Sequence, residues 1–157
     1  MKVLFTLAAV VLLTFTGLAP AQTAAPPENY IELLRSDINT QRVAIITEAM
    51  QFSQEEADIF WPIYKEYEFE GSKLGDKRIA IIKDYAEHFT EMTDEKAKDL
   101  AERQMSLDDE ELKLERKFFK KMDKVLPSKT VVKFFQVDRQ IDLLIKLQVA
   151  AGLPLLD

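Results

Sequence analysis

Hydrophobic residues recur every three or four positions along four segments of the chain, and this spacing predicts amphipathic α-helices. Helix start and stop signals separate the four segments. The pattern predicts helix 1 from about Asn29 to Met50, helix 2 from Ser53 to about Phe89, helix 3 from Thr93 to about Leu126, and helix 4 from Ser128 to about Ala150. At about 1.5 Å per residue, helices 2 and 3 are each about 50 Å long, which predicts an elongated all-α protein.

Charged residues interrupt the hydrophobic face of three of these helices. Arg42 occupies a core-facing step of helix 1, Arg78 one of helix 2, and Glu111 one of helix 3. Two glycines, Gly71 and Gly75, also lie within helix 2. The glycines indicate either a weak point in a long helix or a close crossing between two helices.

The predicted helix boundaries depend on capping residues and prolines. Ser53 and Glu56 have the spacing of a capping box, in which each side chain bonds the backbone N–H of the other. Thr93 is the predicted N-cap of helix 3, and Pro127 is predicted to end that helix. Pro62 lies deep inside helix 2, where the loss of a backbone hydrogen bond predicts a bend.

The densest aromatic block of the chain follows the Ser53 cap and contains Phe60, Trp61, Tyr64 and Tyr67. At helical spacing we expect such residues to form a core. Neighbouring side chains point about 100° apart on a helix, so a groove for unfolded segments stays open as an alternative. Two phenylalanine doublets in helices 3 and 4 pose the same alternatives: Phe118 with Phe119, and Phe134 with Phe135.

The first 21 residues have the composition of a secretory signal peptide. Lys2 precedes an apolar run, and Ala19, Pro20 and Ala21 form a small-residue cleavage site. We therefore expect export to the periplasm with cleavage after Ala21. The predicted organisation is a signal peptide over residues 1–21, a flexible linker over 22–28, one helical domain over 29–151 and an apolar C-terminal tail over 152–157.

Composition excludes several classes of protein. The chain has no cysteine, which excludes disulfides, thiolate metal sites and a lipid anchor on cysteine. Its formal net charge is −6, and loss of Lys2 with the signal peptide makes it −7. We therefore expect no nucleic-acid partner.

Charge is distributed unevenly along helix 3 and the start of helix 4. Residues 94–112 carry a net charge of −5, whereas residues 113–133 carry a net charge of +6. One interpretation is that both segments are solvated faces, partly complementing the helix dipole. The other is an antiparallel dimer, or a surface for clients, with opposite charges facing each other.

Three short segments resemble a repeated motif, Leu-Thr-x-x-Gln, which places a hydrophobic residue before a helix start. They are Phe52-Ser53-Gln54-Glu55-Glu56, Met92-Thr93-Asp94-Glu95-Lys96 and Leu126-Pro127-Ser128-Lys129-Thr130. The arrangement resembles the Spy/CpxP group of exported helical proteins. The resemblance implies four helices in antiparallel hairpins, elongated and curved, that form a cradle-like homodimer. Members of the group act as ATP-independent chaperones or report envelope stress to sensor systems.

The resemblance therefore implies a holdase that binds unfolded or stressed envelope proteins. The expected client-binding residues are aromatic side chains interleaved with lysines: Phe118, Phe119, Phe134, Phe135, Lys117, Lys120, Lys121 and Lys124. The alternative is a regulatory protein that docks on one specific membrane-protein partner.

The sequence contains no convincing catalytic set. His88 is the single histidine, with Asp84 and Glu91 near it at helical spacing. A metal site is geometrically possible there, but we expect a surface histidine, and a metal-binding sensor is the third hypothesis. We expect no enzyme activity, no metal and no cofactor.

Overall fold

The computed structural model describes residues 41–156 of the chain. Over this range it forms four α-helices and no β-strand, which confirms the all-α fold class. Helix α1 is described over residues 41–50. It is followed by α2 (Gln54–His88), a 3₁₀ helix (Phe89–Glu91), α3 (Asp94–Met122) and α4 (Ser128–Ala151). The predicted signal peptide, the linker and the beginning of predicted helix 1 lie outside the described residues.

The predicted caps are present. The Ser53 Oγ accepts from the backbone N–H of Glu56 at 3.2 Å, and the Ser53 N–H donates to Glu56 Oε2 at 3.1 Å, which completes the capping box. Thr93 caps α3 by accepting from the N–H of Lys96 at 3.2 Å. Pro62 is exposed inside α2, which continues through it. The bend at Pro62 stays a prediction.

Helix α3 ends at Met122, four residues before the predicted end at Leu126, so that boundary was wrong. The α-helical hydrogen-bond pattern is interrupted here, because Val125 donates its N–H to the carbonyl of Met122, three residues back and not four, at 3.0 Å. The Ser128 hydroxyl also donates to Asp123 Oδ1 at 2.7 Å across the connection. Pro127 acts as the residue before α4, not as the stop for α3.

Helices α2 and α3 form an antiparallel hairpin joined by a regular series of ion pairs. Asp84, Lys77 and Glu70 on α2 form ion pairs with Arg103, Glu110 and Lys117 on α3, in that order. From one ion pair to the next, the position moves back by seven residues on α2 and forward by seven residues on α3. This opposite stepping fixes the antiparallel register. It also uses many of the charges of α3 within the chain, an outcome that neither interpretation of the charge asymmetry anticipated.

The hydrophobic core has two parts. The larger one is aromatic and combines residues of all four helices, including Phe60 of α2, Phe118 of α3 and Phe134 of α4. The smaller one, built around Ile81 and Leu107, joins the other half of α2 to α3. Burial of each such side chain stabilises the fold by about 1.5–3 kcal/mol relative to exposure, so the aromatic cluster holds the helices together.

Gly71 of α2 faces α3, next to Leu114. A Cβ built on Gly71 would lie 3.8 Å from Leu114 Cδ2, which is an ordinary contact distance. The packing therefore does not require glycine at this position, and a close helix crossing is not its explanation.

Candidate functional site

Three of the four phenylalanines expected to bind clients lie in the core. Phe118 and Phe134 have no exposed surface and Phe135 is 5% exposed. Phe119 is partly buried and its ring lies 5.6 Å from that of Phe135. The expectation of an open aromatic face at these residues is therefore wrong for this arrangement of helices. Adjacent residues of a helix point in different directions, and both residues of each doublet contact the aromatic core because it surrounds more than one side of each helix.

Two of the four lysines expected to bind clients already form ion pairs within the chain. Lys117 donates to both carboxylate oxygens of Glu70 at 2.7 Å, and Lys121 forms an ion pair with Glu66. Lys120 and Lys124 are exposed, and neither forms an ion pair with any residue in the range 41–156. Only Lys120 and Lys124 of the expected set are thus available to a partner without breaking an existing contact.

Lys120 and Lys124 belong to a longer basic surface on the outer side of α3 and of the turn that follows it. Lys113, Arg116 and Lys120 follow one another at steps of three or four residues, so they share one side of α3, and Lys124 follows in the turn directly after the helix. All four are exposed and lack an ion pair with any described residue. We call these four residues the basic face; it is about 16 Å long.

The second half of α4 exposes an apolar surface. Leu143, Leu144 and Leu147 are 66%, 64% and 66% exposed, respectively. Gln136 and Gln140 precede them at helical spacing on the same side and are exposed and uncharged. We call the three leucines the leucine face. Covering the exposed two-thirds of such a leucine is worth about 1–2 kcal/mol, so the leucine face is a candidate contact surface.

The aromatic residues at the start of α2 are structural, as expected. Tyr64 is 2% exposed in the core, and Tyr67 packs against it from the partly buried shell. Trp61 is half-buried, with its ring 5.2 Å from that of Phe60 and 5.5 Å from that of Tyr64. These contacts show a core role for Trp61 that leaves part of the indole in solvent.

A buried ion-pair network joins α1, α2 and α4. Arg42 of α1 donates to the carboxylates of Asp138 and Asp142 on α4. The Tyr67 hydroxyl of α2 donates to the second oxygen of Asp138 at 2.8 Å. The Asp138 side chain is only 3% exposed, and it is the one buried charged residue in the described range. We call Arg42, Tyr67, Asp138 and Asp142 the Arg42 network.

Burial controls the protonation of this network. It raises the pKa of Asp138 to about 6, since desolvation outweighs the attraction of Arg42, and the nearby charge of Asp142 adds to the rise. Burial also raises the pKa of Tyr67, with Asp138 adding to the effect. Desolvation lowers the pKa of the Arg42 guanidinium, but the two carboxylates outweigh it and the net direction is up. Arg42 therefore stays charged while Asp138 titrates near pH 6.

The Tyr64 hydroxyl lies near this network without joining it. It is a buried oxygen that has no hydrogen-bond partner among residues 41–156. Burial raises the pKa of Tyr64, so the hydroxyl stays protonated.

Sequence reasoning missed Asp138, although a signal was present. Arg42 interrupts the hydrophobic face of α1, and Asp138 occupies a core-facing step of α4 between Phe134 and Ile141. A charged residue on each of two core faces predicts a buried pair, because a single buried charge is costly.

The histidine site does not have the arrangement of a metal centre. His88 Nδ1 lies 3.1 Å from Asp84 Oδ1, but the Asp84 carboxylate already accepts from Lys96 at 2.8 Å and from Arg103. These hydrogen bonds lower the pKa of Asp84 to about 2, and the one from Lys96 has the largest effect. Glu91 lies beyond the end of α2 in the 3₁₀ helix. In residues 41–156, no three His, Cys, Asp or Glu side chains are grouped so that they could hold a metal.

A shallow groove of about 230 Å³ lies between α2 and α3, lined by residues that include Lys77, Arg103, Ser106 and Glu110. Its charged residues are already paired, Lys77 with Glu110 and Arg103 with Asp84. A serine without a histidine or another base beside it does not form a nucleophilic site. The groove therefore offers no recognisable catalytic arrangement.

None of the described helices combines the length and the apolar composition needed to cross a membrane. Comparison of the chain with protein-family models, curated proteins and solved structures found no match in any of the three. The resemblance to the Spy/CpxP group therefore depends on the sequence motifs alone and stays a prediction.

Proposed function

We propose that this protein is an exported, ATP-independent, chaperone-like protein that holds unfolded segments of envelope proteins on the leucine face. The observation that carries the proposal is the exposure of about two-thirds of each side chain at Leu143, Leu144 and Leu147. Unfolded chains expose apolar segments, and burial of an apolar segment on this surface is favourable without any directional contact. The function is therefore binding and not catalysis, and it needs no nucleotide, metal or cofactor.

The basic face is the second element of this proposal. The four unpaired cations of the basic face attract clients with acidic segments and increase the rate of encounter, and salt weakens this contribution. The leucine face supplies the contribution that persists at high salt. Clients are therefore expected to bind in two parts, one dependent on salt and one independent of it.

Export to the periplasm and the relation to the Spy/CpxP group complete the proposal. They are supported by the signal-like residues 1–21 and by the three helix-start motifs. The four-helix, all-α architecture is compatible with that group.

A homodimer through α3 would use the basic face as well, so dimer formation and the attraction of clients compete for it. The outer side of its first half exposes Glu95, Glu102 and Asp109, and the outer side of its second half carries the basic face. In an antiparallel pair of α3 helices, the acidic half of one copy lies against the basic half of the other. Light scattering coupled to size exclusion tests this: we expect a dimer at low salt that dissociates at high salt, and a monomer at both would contradict it.

The client-binding proposal is tested by fluorescence anisotropy with a labelled, permanently unfolded probe such as carboxymethylated α-lactalbumin. The test variant is Leu143→Ser with Leu147→Ser, which removes two exposed leucines without touching the core. The matched control is Met105→Ser, because Met105 is also 66% exposed but lies on α3. We expect saturable binding by the wild type and by Met105→Ser, and a loss of about tenfold or more for the leucine variant, which corresponds to about 1.4 kcal/mol. Equal binding by all three proteins would refute the leucine face as the client site.

A second candidate function is docking on one membrane-protein partner as a regulator. The basic face favours it, because a compact set of unpaired cations suits one acidic surface of a single partner. Affinity capture from envelope extracts separates the candidates when the bait is compared with Lys120→Glu and Lys124→Glu. One dominant protein that disappears with the charge reversal supports the regulator, whereas a broad mixture that depends on the leucine face supports the holdase.

A further inference from the structure

The solvent side of α4 has the residue spacing of a coiled-coil seam. Seven exposed residues follow one another at alternating steps of four and three, and we call them the α4 seam: Lys129, Lys133, Gln136, Gln140, Leu143, Leu147 and Ala150. This spacing keeps them in one stripe, about 32 Å long, and it is the spacing at which two helices pack side by side. The leucine face supplies two of the seven residues, and Leu144 lies next to them. The α4 seam is therefore suited to contact with another helix.

The α4 seam has cations at one end and no charge over the rest of its length. Lys129 and Lys133 are exposed, and neither forms an ion pair within residues 41–156, although Lys133 donates to the Met50 carbonyl at 3.4 Å. Three other charged residues of α4 lie off the seam and are paired with neighbouring helices: Arg139 with Glu115, Asp142 with Arg42, and Lys146 with Glu111. A partner that complements the seam therefore has apolar residues along most of its length and acidic residues at one end.

The backbone of α4 determines which conformation of partner the seam accepts. Its N–H and C=O groups bond within the helix, so the side of the helix offers no free donor or acceptor. An extended segment lying on the seam would remove its own backbone groups from water without giving them partners, which is costly. A segment in an α-helix bonds its own backbone groups and presents only side chains to the seam. The surface therefore selects helical over extended segments.

A second copy of α4 fits the seam poorly. In a parallel pair, the two lysines of one copy face the same lysines of the other, and like charges repel. In an antiparallel pair that sets Leu143 against Leu147, Gln140 lies against Ala150 of the other copy, and its amide loses water without gaining a hydrogen-bond partner. The matching partner is therefore a helix of different sequence.

We propose that the segments held on the leucine face are those that form amphipathic helices on the α4 seam, with apolar residues at steps of three and four and acidic residues at the end that meets Lys129 and Lys133. This rests on the proposed function, since it names the class of client segment that the same surface accepts. Gln136 and Gln140 lie between the cations and the leucines. Their amides bond polar residues of the client helix, and polar pairs inside an apolar contact fix its register. Clients are thus unfolded in solution and helical where they are bound.

The test compares two labelled peptides of identical composition. Each has about 21 residues, which matches the length of the seam at about 1.5 Å per residue. The patterned peptide places leucine at steps of three and four after a glutamate-rich end, and the scrambled peptide has the same residues in an order without a helical period. Fluorescence anisotropy gives the Kd. Circular dichroism of the mixture, minus the sum of the separate spectra, reports the helix formed on binding.

We expect the patterned peptide to bind about tenfold tighter than the scrambled one or better, and to gain helix on binding. The double-serine variant of the leucine face should weaken its binding by a similar factor. Lys129→Glu with Lys133→Glu should weaken it more than Lys120→Glu with Lys124→Glu, because the first pair lies on the seam and the second on the basic face. The second pair is the matched control, since all four lysines are exposed.

The outcomes separate the helical client from the proposed function. Leucine-dependent binding of carboxymethylated α-lactalbumin with equal affinity for the two peptides, or with no gain of helix, overturns the helical client and leaves the chaperone-like function intact. Binding of the patterned peptide without binding of α-lactalbumin supports a helical partner and refutes a general chaperone-like function. No binding of peptides or α-lactalbumin refutes both. Self-association that the double-serine variant abolishes, measured by light scattering, shows that a second copy covers the seam and also overturns the helical client.

Discussion

Replacement of Arg42 with alanine removes the cation of the buried network and leaves Asp138 facing the aromatic core. The Asp138 carboxyl has an ordinary pKa of 3.8 and a pKa of about 6 in the folded protein. The folded protein thus holds this proton more tightly than the unfolded chain. The contribution to stability is fully present below pH 3.8 and is lost as the pH rises through about 6. At about 1.4 kcal/mol for each unit of pKa difference, the total loss is about 3 kcal/mol.

Without Arg42, the pKa of Asp138 rises further because the attractive charge is gone. At pH 7.5 the folded protein must then keep the carboxyl protonated far above its ordinary pKa, or bury an unpaired charge. Either costs about 2 kcal/mol more than in the wild type. At pH 5, Asp138 is already mostly protonated in the wild type, so this additional cost is close to zero. The packing lost with the Arg42 side chain is the same at both pH values and cancels in the comparison.

The assay is urea unfolding followed by circular dichroism at 222 nm, with the free energy of unfolding obtained by linear extrapolation at pH 5.0 and 7.5. We expect Arg42→Ala to destabilise the protein by about 2 kcal/mol more at pH 7.5 than at pH 5.0. Lys120→Ala is the control, because Lys120 is an exposed cation without an ion pair in the described part of the chain. An equal cost of Arg42→Ala at the two pH values, or a larger one at pH 5.0, would refute the assignment of a buried, proton-binding Asp138.

Three further predictions concern the core, a cap and the α2–α3 hairpin. Phe134→Ala should lower the free energy of unfolding by about 3–5 kcal/mol because the ring is fully buried, and Trp61→Ala should cost less because Trp61 is half-buried; thermal unfolding compares them. Ser53→Ala should cost about 1 kcal/mol through the lost N-cap, measured by urea unfolding, and no change would contradict the capping box. Charge reversal at Glu70 or Lys117 alone should destabilise slightly, and the double reversal should restore stability, with a coupling of about 0.2–1 kcal/mol in a double-mutant cycle.

The helices and their caps were predictable because their signals are local. The spacing of hydrophobic residues and the Ser53 and Thr93 caps depend on neighbours within one or two turns, and the structure confirms them. The predicted end of α3 was wrong because Pro127 restricts the backbone conformation of only the residue before it. Where a helix stops earlier depends on the turn bonds that the chain makes at Met122 and Asp123.

The exposed surface was less predictable because burial depends on which helices meet. The phenylalanine doublets looked the same whether they faced a core or a partner. Their burial is decided by the packing of α3 and α4 against the rings of α2 and against each other. Charged residues on hydrophobic faces were an unused signal. Arg78 and Glu111 both interrupt such faces, and they pair with each other, as Arg42 does with Asp138. Pairing of such interruptions across helices would have predicted the register of the hairpin.

The central claim is that unfolded clients contact the leucine face. A photoreactive benzophenone attached to a single cysteine at position 143, with the same probe at position 105 as control, tests it directly, since the chain has no other thiol. After illumination with labelled carboxymethylated α-lactalbumin, we expect a client adduct from position 143 and little from position 105, although both wild-type side chains are 66% exposed. Equal adducts from the two positions, or adducts from position 105 alone, would contradict the account.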